Sequence, residues 1–127
     1  ERVHACARGT MLMGVPERRA PGFWNNISQC CGNAGVGEFF LSLARVSPRR
    51  GYTALVQRTA ADTLARATPA GNGLKWIQAE HRVRPELLIA QTGFMQGAAG
   101  VGTYFLHMDA LENGRQPVIV FPDNPFA

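Results

Sequence analysis

Two ten-residue stretches of this chain are near copies of each other. Gly32–Leu41 reads GNAGVGEFFL and Gly97–Leu106 reads GAAGVGTYFL; seven of the ten positions are identical, at an offset of 65 residues. Self-similarity at a fixed period marks a repeat architecture, in which one supersecondary unit stacks on the next. Each copy opens on the pattern GxxGxG and runs into an aromatic-rich amphipathic stretch. Glycine at the start of a helix lets another backbone come close. A first turn made of Gly and Ala can therefore crowd around a common centre, with its N–H groups and the positive end of the helix dipole aimed there. Helix pairs at this spacing predict an all-α solenoid or closed ring. Such structures bury their faces only with about three or more units, and this chain holds two.

The length of 127 residues allows one ordinary domain and not two. An apolar share of 46% against 17% charged separates it from disordered polar chains. Its uncharged stretches are too polar and too broken by glycine to span a membrane, and no basic segment followed by an apolar one marks a signal peptide. The net charge of +4 comes from 12 Arg and one Lys against 9 acids. The arginines are scattered, paired only at Arg18-Arg19 and Arg49-Arg50, whereas a nucleic-acid reader concentrates them with aromatics between. The expectation is no nucleic-acid partner and no membrane. The glycine pattern is also not the GxGxxG of a dinucleotide site, and no Gly-Lys-Ser/Thr follows it.

Periodicity places the remaining elements. Val3–Met13 reads as the end of a helix, stopped by Gly14 and Pro16, and Pro16–Gln29 as a loop with a turn at Pro21-Gly22. Gly32–Val46 is predicted helical, with Phe39, Phe40, Leu43 and Val46 on one face. Gly51–Thr68 is the clearest helix, its stripe formed by Tyr52, Leu55, Val56, Ala60, Leu64 and Ala67 and its end set by Pro69. Ala70–Gly73 is a turn, Leu74–Val83 extended or irregular, and Pro85–Ala90 a short helix with Pro in its first turn. Gly97–Leu111 is the last helix. Three prolines keep the tail from being helical, and Val118–Phe121 is expected to extend against the body.

Three cysteines, Cys6, Cys30 and Cys31, are too few and odd in number for a secreted disulfide scaffold. Neighbours such as Cys30 and Cys31 seldom bridge each other, because their Cα atoms sit only about 3.8 Å apart. A cytoplasmic setting follows, in which the pair is either buried packing or a soft metal site. Its position immediately before the first glycine-rich helix favours thiolates. Zinc takes thiolate ligands, and a catalytic site needs three protein ligands and one open position. His81, within Glu80-His81-Arg82, is the further candidate, either as a group touching substrate or as a hydrogen-bonded structural residue. Trp24 and Trp76 read as wall or core aromatics, and Asn25 and Asn26 as turn residues.

The stretches PGFWNNISQCCGNAGVGEFFL (Pro21–Leu41), LKWIQAEHRVRPE (Leu74–Glu86) and QTGFMQGAAGVGTYFL (Gln91–Leu106) resemble the C-terminal part of lanthionine synthetase C-like proteins, as does the closing Pro122–Phe126. The resemblance implies an α/α toroid of inner and outer helices with zinc near the inner-helix N-termini. Gly32, Gly35, Gly97 and Gly100 would then begin two inner helices lining the centre, and Gly51–Thr68 would be an outer one. It implies Cys30 and Cys31 as the adjacent pair of zinc ligands, in an all-thiolate form. The implied reaction adds a Cys thiol to dehydroalanine or dehydrobutyrine, giving a thioether, with a dehydrated peptide or a small thiol such as glutathione as partner. The family's Trp-Cys-x-Gly is absent, so the third ligand is expected upstream, and Cys6, lacking those neighbours, does not take its place. The family's acid/base His and Asp also have no counterpart here. The start at Glu1 reads as a cut within the domain, whose missing N-terminal part would cover exposed apolar helix faces. A non-catalytic peptide-binding or scaffold toroid and an unrelated helical-repeat module are the alternative readings.

Overall fold

A computed structural model describes residues 1–18, 26–47, 50–81, 83–117 and 119–120. The expected loop features at Pro21-Gly22, Trp24 and Asn25 and the closing Pro122–Phe126 lie outside them. Four helices carry the fold: α1 (Arg2–Leu12), α2 (Asn33–Val46), α3 (Arg50–Ala65) and α4 (Ala98–Glu112). Between α3 and α4 stand two separate antiparallel hairpins, β1 (Thr68–Ala70) with β2 (Gly73–Lys75), and β3 (Gln78–His81) with β4 (Arg84–Ile89). The protein is thus mainly helical, with the two repeat copies forming α2 and α4 within a residue of their expected bounds.

The repeat helices lie side by side and run the same way. Contacts between them climb in step, from Cys30 against Met95 at their beginnings, through Gly37 against the Tyr104 ring, to Arg45 Nη2 donating to the His107 carbonyl near their ends. Helix α3 runs antiparallel to α2, its late residue Asp62 accepting from Asn33 Nδ2 and its early residue Tyr52 packing edge-on against Phe40. It also reaches α4, where the Tyr104 hydroxyl donates to the Val56 carbonyl at 2.7 Å. Two parallel helices in one layer with an antiparallel helix behind them are the layering expected of an arc of an α/α toroid. Helix α1 joins this outer side through His4 Nδ1, 2.7 Å from the Tyr52 hydroxyl.

The core is where the three long helices meet, and it contains Phe40, Leu41, Leu55, Val56 and Tyr104 at full burial. The stripe predicted on α3 is correct through Ala60 and then departs. Leu64 is 55% exposed, and the buried positions are Thr59 and Thr63. Each threonine hydroxyl lies within hydrogen-bond reach of a carbonyl of the preceding turn, and that of Thr59 also meets the Tyr104 hydroxyl on α4. Ala67 falls beyond the helix, whose ladder closes at Ala65 because Thr68–Ala70 pairs with β2. On α2, Val46 is likewise exposed rather than buried.

The hairpins correct one expectation outright. Pro85–Ala90 is not a short helix but most of β4, with Gln78 opposite Ile89 and Ala79 opposite Leu88. Six residues are too few to hold a helix without strong tertiary support. A two-stranded ladder instead offers partners at once, and it tolerates Pro85 because each strand has an unpaired edge. Leu74–Val83, expected as extended or irregular, contributes β2 and β3. The turn at Ala70–Gly73 is present, with Gly71 at φ 59°, a left-handed conformation that suits glycine.

Candidate metal centre

The site is built on the loops that precede the two repeat helices, and those loops repeat as well. Before α2, the N–H groups of Asn33 and Ala34 donate to the carbonyls of Asn26 and Ile27. Before α4, those of Ala98 and Ala99 donate to Gln91 and Thr92. Gly32 donates to Ser28 and Gly97 to Gly93, again in register. The side chains of the two loops, NISQCC and QTGFMQ, share no identity. The structural unit therefore begins six residues before the sequence repeat does.

This geometry explains the glycines. A Cβ on Gly32 would lie 2.1 Å from the Asn26 carbonyl oxygen, and one on Gly35 2.1 Å from that of Gln29. The second copy is the same: 2.5 Å from Gln91 at Gly97 and 1.9 Å from the Phe94 oxygen at Gly100. In both loops the chain folds back onto the first helical turn and caps it with its own carbonyls. The early N–H groups, expected from sequence to face a central ligand, are thus bonded to the loop.

Cys30 and Cys31 sit in the turn just ahead of Gly32, and both are exposed thiols rather than disulfides. The Cys30 N–H donates to the Met95 carbonyl at 3.0 Å, and Gln96 Nε2 approaches Cys30 Sγ at 4.0 Å. The Cys31 N–H faces Ser28 Oγ at 3.4 Å. Asn26, expected only as a turn residue, is an organiser of this loop. Its Oδ1 accepts from both the N–H and the hydroxyl of Ser28, at 2.9 and 2.6 Å. Gln29 spans to the other copy, donating from Nε2 to the Gly100 carbonyl at 2.8 Å. Gln78 performs the same tie from the hairpin side, donating to the Gln96 carbonyl at 2.5 Å and accepting from the Ile27 N–H. Gln29 and Gln78 were not singled out from sequence, since isolated Gln residues carry no spacing that identifies such a role, and Asn26 was read only as a turn residue.

Trp76 is a core residue here, its Nε1 donating to the Thr63 carbonyl at 2.7 Å beside Ile27 and Val101. His81 stands in β3 opposite Arg84, and its side chain lies outside the described part of the structure. Cys6 is on α1, remote in sequence and exposed. Among the described residues no group of three or more His, Cys, Asp or Glu converges in a way that closes a metal site. The donor chemistry of the Cys30-Cys31 turn fits zinc as part of a ligand set, two exposed soft thiols on adjacent residues. Also among the described residues, no helix is long and apolar enough to cross a membrane.

Comparison with known proteins gives a family match. The family model described as lanthionine synthetase C-like protein matches residues 18–121. No curated protein and no solved structure matches the chain.

Proposed function

The chain belongs to the lanthionine synthetase C-like family, and from that premise we propose that it is part of a zinc-dependent cyclase-type protein that joins a Cys thiol to dehydroalanine or dehydrobutyrine in a modified peptide. The observation that carries this reading is the Cys30-Cys31 turn, two exposed thiols held at the junction of the two repeat units. Cys30 and Cys31 would hold the metal, with a third protein ligand from a segment other than those described. Zinc bound there supplies a Lewis acid that keeps a substrate thiol ionised near neutral pH.

The chain's own residues hold the thiols in place. Asn26 and Ser28 fix the loop from within, while the Met95 carbonyl, Gln29 and Gln78 lock it to the second unit. Preorganised ligands lower the entropic cost of closing a metal site. His81 is proposed as a group near substrate that protonates the enolate left after thiol addition. A small thiol such as glutathione is the alternative nucleophile, and the cytoplasm the expected compartment.

Metal analysis of the full-length protein tests this. We expect zinc, lost together with thioether formation in Cys30→Ala. Absence of zinc, with Cys30→Ala changing neither metal content nor activity, removes the catalytic reading. A second reading, a non-catalytic peptide-binding toroid, draws on the lack of a third ligand among the described residues. It takes precedence if the full-length chain also lacks Trp-Cys-x-Gly and the acid/base pair.

A further inference from the structure

Away from the thiols, the middle of α2 and the later half of α4 enclose an acid–imidazole pair with no part in the proposed chemistry. Glu38 and His107 are 7% and 6% exposed. His107 Nδ1 lies 2.8 and 2.9 Å from the two carboxyl oxygens of Glu38, and Nε2 lies 2.6 Å from the carbonyl oxygen of Ile119, beyond the end of α4. A carbonyl oxygen can only accept, so the Nε2 link requires a proton on Nε2. The Nδ1–Glu38 link requires another, carried either by the ring or by the carboxyl group. The three-residue chain is complete only with both protons.

Removing one proton leaves a neutral ring with a single N–H next to a carboxylate. That N–H makes its stronger bond to the charged acceptor. Nε2 then turns a lone pair toward the Ile119 oxygen, and the contact becomes repulsive. The geometry points to a proton-dependent latch: Glu38 and His107 hold Ile119 against α2 and α4 while the pair keeps its second proton, and release it when that proton leaves.

The surroundings act on the carboxyl of the pair. On α2, Arg45 donates to the His107 and Arg115 carbonyls, and its charge favours the carboxylate. Gln29, from the loop ahead of α2, hydrogen-bonds Glu38 and acts in the same direction. Opposing both, burial raises the Glu38 carboxyl above its ordinary range, which retains the proton in the pair. On α4, Tyr104 and Glu112 are the other titratable groups turned toward this region, and Asp109 is held by Arg115. Helix α3 meets Tyr104 through uncharged Thr59 and the Val56 carbonyl. The described residues after Arg115 bring no charge: Gln116, Pro117, Ile119 and Val120. Ile119 and Val120 form part of the wall of a cleft of about 160 Å³ that Glu38, Ser42, Arg45 and His107 also line, so release of Ile119 would widen it.

The latch is independent of zinc and is testable on the full chain. Nitrogen-15 NMR of the His107 ring, followed from about pH 5 to about pH 9, is expected to change from two ring protons or a shared one to a single N–H. The Ile119 carbonyl-carbon shift should move from its hydrogen-bonded value in the same step. Glu38→Gln gives the sharper result. Its amide N–H can donate to Nδ1, which leaves Nε2–H free to bond Ile119 with a neutral ring. The Ile119 carbonyl should therefore keep its bonded shift at high pH. An Ile119 signal that is flat with pH in the unmodified chain, or that titrates identically in Glu38→Gln, overturns the latch. The ring measurement needs no variant and stands if Glu38→Gln fails to fold: one fixed ring proton with no titration in this range also overturns it.

Discussion

Cys30 and Met95 occupy the same position in the two repeat units, and the N–H of one donates to the carbonyl of the other at 3.0 Å. The units thus meet through equivalent loops as well as equivalent helices. The pattern continues along the helices, where Gly37 of the first unit receives the Tyr104 ring of the second. Gly102, the counterpart of Gly37, has nothing within 4 Å of where its Cβ would be, and Leu106 on the same helix is 55% exposed. An interface used once is presented again on α4 with no described segment against it, as a stacked repeat requires.

Gly100 and Gly102 lie in the same helix and should respond to alanine with opposite signs. A Cβ at Gly100 meets the Phe94 carbonyl oxygen at 1.9 Å, so Gly100→Ala must push the capping loop away, at a cost of about 3 kcal/mol or more. At Gly102 the space is open, and Gly102→Ala should stabilise by about 0.5 to 1 kcal/mol through reduced backbone entropy in the unfolded chain. Urea midpoints of the two variants check the pair; equal shifts would contradict the capping geometry.

Gly37→Ala should cost about 1 to 3 kcal/mol, because its Cβ would lie 2.3 Å from the Tyr104 ring. That ring cannot swing away cheaply. It is fully buried, and its hydroxyl is tied to the Val56 carbonyl and Thr59 Oγ1. Burial also pushes the phenol up to about 12, so the hydrogen bonds persist well into alkaline solution. Gly37→Ala combined with Tyr104→Leu should cost less than the sum of the two single changes, which a double-mutant cycle by denaturant melts would measure.

The sign of the Glu38 effect on stability follows from its environment. Burial raises its carboxyl in the folded protein above the unfolded value. Its contribution is therefore fully present below the ordinary carboxylate range and is lost as pH rises through the raised folded value. Glu38→Gln removes this titration. The stability difference between the variant and the unmodified chain should shift in the variant's favour as pH increases across that window, read from urea midpoints at matched ionic strength.

Thiol labelling distinguishes the three cysteines. All are exposed, so a thiol-reactive probe should label all of them in the chain without metal. In the full-length protein, zinc should protect Cys30 and Cys31 and leave Cys6 reactive, with mass spectrometry locating each label. Equal protection of Cys6 would place it among the ligands, and protection of none would remove the metal from this turn.

The α2 and α4 copies, the α3 helix and the family were legible from local pattern, because Gly spacing and 3.6-residue periodicity survive in sequence. The Cys30-Cys31 turn was legible as a pair of neighbours. The roles of Gln29 and Gln78 were not, since each acts across a long separation by bonds that leave no local signature, and Asn26, which bonds Ser28 two residues on, was legible only as a turn residue. Pro85–Ala90 was misread for a related reason: a helix start and a strand edge both accept proline, and only the partner strand Gln78–His81 decides between them.

The sequence by itself determined that two like helices begin on crowded glycines and that two thiols precede the first of them. What the glycines are crowded by, the tertiary structure decided. Loops with no common residue take the same path because main-chain carbonyls, identical in every amino acid, cap both helices. The pairing of Glu38 with His107 was decided there too, because neither residue has a like-for-like counterpart in the other repeat copy and only the packing of α2 beside α4 brings them together.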